Sequence, residues 1–298
     1  MTGMKDFLEQ WQALSPQPGL SFYAIVDSAQ DARLLATLYA MTPGMPSQCL
    51  LADANGPELS KAAPHLATLP PFAEDSEAWL IVFRSAASNP ASITIIASHW
   101  EFTALFAHLA SFTEIVLADG DEMIFAFWDP AILGTLVGQK DDSTLHVPGP
   151  VLSARQRSKL LAGMSAWWYW DRNGQQHQMR DDTPHADVDQ VVLPLKLTSI
   201  QVDMLVEASV PDHLLGHIKD IQPQLLFDLP EAEQYARVEQ HLLEARKLNL
   251  RGMQDIINYI CAGLIYGSKM QHDSVMAGLL SNVKTGNISL SEALEQFP

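Results

Sequence analysis

The segment QHQMRDDTPHADVD, which begins at residue 176, holds the densest set of side chains that could do chemistry. Imidazole and carboxylate groups are ligands for divalent metals, and the segment supplies six: His177, Asp181, Asp182, His185, Asp187 and Asp189. Their spacing matches neither a His-Glu-x-x-His helix nor a cysteine-based zinc site. Because a polar stretch beside a turn is usually solvated, we predict no metal ligand here. The alternative is a small hydrolase with a carboxylate pair or an Asp/His metal site between Asp181 and Asp189.

Two other positions have part of a catalytic pattern. Asp27 follows an apolar run, at the strand end where α/β enzymes often place reactive groups, but Ser28-Ala29-Gln30 supplies no second acid. Helix capping is the simpler interpretation of Asp27. Gly163–Trp167 reads Gly-x-Ser without the closing Gly of a nucleophile elbow. No Walker loop and no Gly-x-Gly-x-x-Gly turn occurs, so we predict no cofactor, no catalytic residue and no enzyme activity.

The run Trp167-Trp168-Tyr169-Trp170 is the most unusual local feature. On a strand, Trp168 and Trp170 face one side while Trp167 and Tyr169 face the other. Core packing explains one aromatic face, whereas a second face needs a neighbouring domain or a partner protein. We therefore predict that Trp168, Tyr169, Trp170 and the separate Trp128 contact a partner. Packing of these side chains within the chain is the alternative.

The first 150 residues alternate strand and helix patterns. Apolar runs predict strands at Ser21–Asp27, Ala78–Phe83 and Ser92–Ser98. Asp119-Gly120 and Asn173-Gly174 are strong hairpin signals, and Pro130 suits the first turn of a helix.

After residue 198 the apolar spacing is helical to the end, with Pro211 among the breaks between helices. The predicted fold is an α/β (mixed α+β) N-terminal domain, with a mixed sheet and flanking helices, plus an all-helical C-terminal lobe. The predicted boundaries are 1–150 for the first domain, 151–195 for a connecting region with the aromatic hairpin, and 196–298 for the helical lobe.

Charge and cysteine content narrow the functional classes. The 298-residue chain has a net charge of −17, and residues 1–150 hold 17 Asp and Glu against 5 Lys and Arg. Such a surface repels phosphate backbones and anionic lipids, so we expect neither nucleic acid nor membrane as a partner. Cys49 and Cys261 lie far apart in apolar runs, which indicates reduced thiols and a cytoplasmic protein. The start of the chain lacks a signal-peptide pattern.

An ordered series of motifs resembles the adaptor chaperones of bacterial type VI secretion. The series is FYAIVDSAQDARLLATLYA, CLLADANGPELSKAAPHLATL, WLIVFRS, HLASF, DGDEMIFAFWDPAILGTLV and VPGPV. Its most specific parts are Trp128-Asp129-Pro130 and Gly149-Pro150, and the final SLSEALEQF resembles the family's variable C-terminal lobe. The family often has an Arg where this chain has Ala126, so any ion pair of that Arg is absent.

The resemblance implies a function without catalysis. Such an adaptor binds a cognate secreted effector and loads it onto the valine-glycine-repeat spike protein. We expect the adaptor to hold the N-terminal segment of the effector. An acidic binding surface would favour a basic segment and speed its association.

Overall fold

A computed structural model gives the fold of residues 5, 7–10, 12, 19–51, 61–72, 76–181, 187–267 and 269–297. The chain divides into two compact units, Met1–Ala208 and Ser209–Pro298. Among the described residues, no helix combines the length and the apolar character that a membrane span requires.

A six-stranded antiparallel sheet forms the centre of the first unit. Its strand order is β2-β3-β1-β4-β7-β8, and every neighbouring pair is antiparallel. The strands are β1 (Ser21–Asp27), β2 (Ser47–Cys49), β3 (Pro64–Thr68), β4 (Ile93–Ser98), β7 (Met164–Trp170) and β8 (Gln176–Met179). The last two strands come from the predicted connecting region and form the hairpin expected at Asn173-Gly174.

A second sheet of three strands has the order β6-β5-β9. Its strands are β5 (Glu114–Val116), β6 (Glu122–Ile124) and β9 (Leu195–Lys196). Strands β5 and β6 form the hairpin expected at Asp119-Gly120, and β5 pairs with β9 in parallel. The mixed α+β class of the first unit is therefore confirmed.

Helices cover both faces of the large sheet. They are α1 (Leu34–Met41), α2 (Glu77–Ser88), α3 (Phe102–Ala110), α4 (Pro130–Val137) and α5 (Ala154–Leu160). Residues of β1, β4 and β7 alternate between two apolar clusters, since side chains on a strand point to opposite faces. One cluster includes α1 and α2, and the other includes α3, α4 and the small sheet.

Two local predictions were wrong. The segment Ala78–Phe83 lies in helix α2, whose buried residues Ala78, Trp79, Val82, Phe83 and Ala86 recur at helical spacing. An apolar run of six cannot be assigned by periodicity alone, and Ala and Ser continue the helix to Ser88. Pro211 does not end a helix, because α6 (Ser199–Ile221) continues through it.

The second unit is helical, as predicted for the C-terminal lobe. After α6 its helices are α7 (Glu231–Lys247), α8 (Met253–Tyr266), α9 (Lys269–His272), α10 (Ser274–Lys284) and α11 (Leu290–Gln296). Their apolar faces share one core that includes Leu242, Ile260, Met276 and Ala293. The final motif begins with a capping box between Ser289 and Glu292, which explains why a helix starts there.

Helices α7 and α8 approach closely where Gly263 meets the ring of His241. A Cβ added at Gly263 would lie 2.6 Å from His241 Cε1, closer than packed atoms allow. We predict that Gly263→Ala lowers the free energy of unfolding by about 1–3 kcal/mol, because the two helices must separate. Gly278→Ala in α10 is the control, since a Cβ there meets open space. This change should raise the free energy of unfolding by about 0.5–1 kcal/mol, because Ala favours the helix more than Gly does. Thermal and urea unfolding measure both; equal effects would contradict the packing.

Candidate functional site

The aromatic strand β7 lies inside the large sheet, between β4 and β8. Trp167, Trp168 and Tyr169 have no exposed surface, and Trp170 is 2% exposed. Trp167 and Trp168 are opposite Ile96 and Ile95 of β4. Both aromatic faces of the strand are therefore buried within the chain.

On one face, Trp168 packs in an aromatic cluster. Its ring lies 4.9 Å from Phe7, between ring centres, and its Nε1 donates a hydrogen bond of 2.7 Å to Gln10 Oε1. Trp170 meets Phe83 of α2 edge-on at 6.1 Å. Phe7, near the N-terminus, and helix α2, which was predicted as a strand, together cover this face.

On the opposite face, Trp167 donates from Nε1 to Thr94 Oγ1 at 2.9 Å and meets Phe127 edge-on. The Tyr169 hydroxyl lies over Gly134 of α4, where an added Cβ would be 2.6 Å away. The Gly of the AILGTLV motif thus leaves room for this hydroxyl.

Trp128 is also buried, and it joins two of the resemblance motifs. Its Nε1 donates to Asp27 Oδ2 at 3.2 Å, and the two residues are 101 positions apart. Asp27 Oδ1 accepts from the amide of Ala29, so Asp27 caps a turn and not the following helix. Burial raises the pKa of Asp27, while the hydrogen bonds from Ala29 and Trp128 partly offset that effect.

This burial corrects the premise behind the predicted partner contacts. A second aromatic face on β7 was expected to need a neighbouring domain or a partner, but the first unit covers both faces itself. Trp168, Tyr169, Trp170 and Trp128 are between 0% and 7% exposed, so this fold presents none of them to another protein. Packing within the chain, the alternative from the sequence, describes all four side chains.

A polar cluster, buried except for Asp141, surrounds His177 on β8. His177 Nε2 lies 3.1 Å from Asp171 Oδ2, and its Nδ1 lies 3.4 Å from Asp141 Oδ2. Asp142 Oδ2 accepts from the Tyr169 hydroxyl at 2.8 Å, and the Tyr169 ring stacks on the imidazole. With a carboxylate near each ring nitrogen, both nitrogens are donors only when His177 is protonated.

The electrostatics of the cluster favour a protonated His177. Burial disfavours the imidazolium, but the hydrogen bond to Asp171 and the charges of Asp142, Asp171 and Asp141 raise the pKa of His177 above its usual value. Burial also raises the pKa of Tyr169, and the neighbouring Asp142 raises it further. Tyr169 therefore stays a hydrogen-bond donor at neutral pH.

The ligand atoms of Asp142, Asp171 and His177 lie within 4.8 Å of one another, a spacing that a metal ion could bridge. Each carboxylate oxygen already accepts a hydrogen bond from a protein donor. Asp171 Oδ1 accepts from Asn173 and Gln175 and so fixes the turn of the β7–β8 hairpin. The arrangement is that of a closed network that holds this hairpin.

The network differs from the Asp/His site that the sequence offered as an alternative. His177 Nε2 lies 3.1 Å from Asp171, and a ring nitrogen lies within 4.8 Å of Asp142. The sequence analysis singled out neither carboxylate, although Asp171 just before Asn173-Gly174 is a turn signal. Asp187 and Asp189 form ion pairs with Arg155 and Lys159, and their side chains are exposed. Asp182 and His185 lie outside the described residues.

Comparison with known proteins gives one family match. A family model described as "Domain of unknown function (DUF4123)" matches residues 22–146, from β1 to the loop after α4. No curated protein and no solved structure matches the chain.

We predict that Trp168→Ala destabilises the first unit. The change removes a buried indole and its bond to Gln10, and such truncations cost about 3–5 kcal/mol. Ile200→Ala is the control, because Ile200 is 72% exposed and should change stability by less than about 0.5 kcal/mol. An unchanged melting temperature in Trp168→Ala would contradict core packing of Trp168 and would favour the predicted contact with a partner.

We also predict a pH-dependent contribution from His177. Because its pKa is raised in the fold, its stabilising effect is complete below about pH 6.5, the ordinary histidine value, and disappears as the pH rises through the folded pKa. His177→Gln should therefore cost most stability near pH 5.5 and less at pH 9. Urea unfolding at several pH values measures the difference from the unmodified chain. A difference that does not vary with pH would exclude an imidazolium at this position.

Proposed function

We propose that this protein is a non-catalytic adaptor of the cytoplasm that binds a secreted effector protein and loads it onto the valine-glycine-repeat spike of a type VI secretion system. The observation that carries the proposal is the ordered motif series that resembles these adaptors. The family match over residues 22–146 covers most of the series, from Phe22 to the helix after Trp128-Asp129-Pro130.

Contacts between the motifs support the resemblance. Asp27 of the first motif accepts a hydrogen bond from Trp128 of the fifth. Asp129 caps helix α4 by accepting from the amide of Ala131, which gives the Asp-Pro step a structural role. At Gly149, of the VPGPV motif, a Cβ would lie 2.0 Å from the carbonyl oxygen of Thr135. The motif residues thus build the scaffold, as expected if the series marks a shared fold and each member binds its own partner by its surface.

The distribution of ionisable groups also favours binding over catalysis. In the described part of the chain, the buried Asp, His and Tyr groups around β7 and β8 bond to one another. Most of the excess of acid lies in residues 1–150, which hold 12 more acidic than basic side chains (17 against 5). A surface of this sign attracts a basic segment of a partner and repels nucleic acid.

Co-purification tests the proposed function. The tagged full-length chain, expressed in its source cell, is captured and its partners are identified by mass spectrometry. We expect one effector and the spike protein, with the effector lost as salt is raised because charge attraction is screened.

An unrelated protein of similar net charge with the same tag is the control for capture by acidity alone. Recovery of neither an effector nor a spike protein above that control would refute the proposal.

A further inference from the structure

Strand β6 is the exposed edge of the small sheet. It pairs with β5 on one side only, and no other strand in the described part of the chain lies beyond it. All residues from Ala118 to Ile124 are exposed, and the large apolar side chains Met123 and Ile124 are 48% and 59% exposed. Because they are neighbours on a strand, these two side chains point to opposite faces.

The hydrogen bonds of the hairpin show which backbone groups face outward. The amide of Leu117 donates to the carbonyl of Asp121, and that of Phe125 donates to the carbonyl of Thr113. In an antiparallel pair, bonded and non-bonded positions alternate. Since the backbone groups of Asp121 and Phe125 face β5, the backbone groups of Met123, which lies between them, face β5 too. The N–H and C=O groups of Glu122 and Ile124 point to the free edge.

The edge lies in a stretch of chain without basic residues. Between Arg84 and Lys140 there is no Lys or Arg, whereas the β5–β6 hairpin alone carries Glu114, Asp119, Asp121 and Glu122. Lys196 on β9 is two strands away from the free edge, about 10 Å at ordinary strand spacing. A second copy of this chain would bring the same acids against the edge and be repelled.

We infer that the outer edge of β6 binds an extended, lysine- or arginine-rich segment of the partner as an added strand. The backbone groups of Glu122 and Ile124 supply the pairing, Met123 and Ile124 supply apolar contact on the two faces, and the acidic hairpin selects the basic sequence. Short edge strands flanked by charge also protect proteins from aggregation. That role alone needs no pair of exposed large apolar side chains. The inference rests on the proposed function for the identity of the partner as an effector.

Two substitutions at Ile124 test the edge without removing the hairpin bonds. Ile124→Pro deletes an outward N–H that β5 does not use, so it blocks strand addition and leaves the pairing with β5 intact. Ile124→Lys adds a positive charge that repels a basic segment. Ile200→Lys places the same charge on an exposed apolar residue of helix α6. Melting temperatures of the three variants establish that they fold.

The probes are the effector captured by the unmodified chain and two labelled ten-residue peptides, one of alternating Lys and Val and one of alternating Glu and Val. We expect both Ile124 variants to weaken binding of the effector and of the Lys-Val peptide by about tenfold or more, as for loss of one interface anchor. We expect Ile200→Lys to stay within about twofold. The Glu-Val peptide should bind more weakly than the Lys-Val peptide.

The outcomes separate this inference from the proposed function. If both Ile124 variants keep full affinity for a captured effector, the edge is not the site, although the adaptor function stands. If the unmodified chain captures no effector, the proposed adaptor function is refuted, and the two peptides alone test whether the edge of β6 binds a basic strand. Equal binding of the two peptides, or no loss in Ile124→Pro, then overturns the inference. A concentration-dependent dimer that Ile124→Pro abolishes would also overturn it, because the occupant would be a second copy.

Discussion

The first unit depends on one strand, β7, whose side chains fill the cores on both faces of the large sheet. Trp168 and Trp170 belong to the cluster that includes helices α1 and α2, while Trp167 and Tyr169 belong to the cluster of α3 and α4. Large aromatic side chains contribute more buried area per residue than any others. Four in succession join both layers of helices to the sheet, so this strand cannot also present its aromatic surface to a partner.

The same arrangement explains why reactive side chains have structural roles here. Tyr169 reaches Asp142, and the neighbouring His177 binds Asp171, so that the network fixes the β7–β8 hairpin and the loop after α4. Asp27, at the end of β1, holds Trp128. These groups are oriented toward one another and away from solvent.

Much of the architecture could be predicted from the sequence. The hairpins followed from Asp119-Gly120 and Asn173-Gly174, and the helical second unit followed from apolar spacing after residue 198, because these signals are local. Helix α2 was missed because Ala78–Phe83 is apolar enough for a strand, whereas in the fold its buried residues recur at helical spacing and pack on Phe7. The His177 network was missed because Asp142 and Asp171 come from different loops. Whether both faces of β7 are buried could not be predicted for a similar reason, because the residues that cover them lie far away in the chain.

Hydrogen exchange of the chain, alone and with its captured partner, tests most directly whether β7 is core and the partner meets the surface. Amides of Trp167, Trp168 and Tyr169 should be among the slowest to exchange and should not change when the partner binds. The amides of Glu122 and Ile124, which point to the free edge of β6, should exchange rapidly in the free chain and become protected in the complex. Partner-dependent protection that appears at Trp167–Trp170 and is absent from the amides of Glu122 and Ile124 would contradict this account.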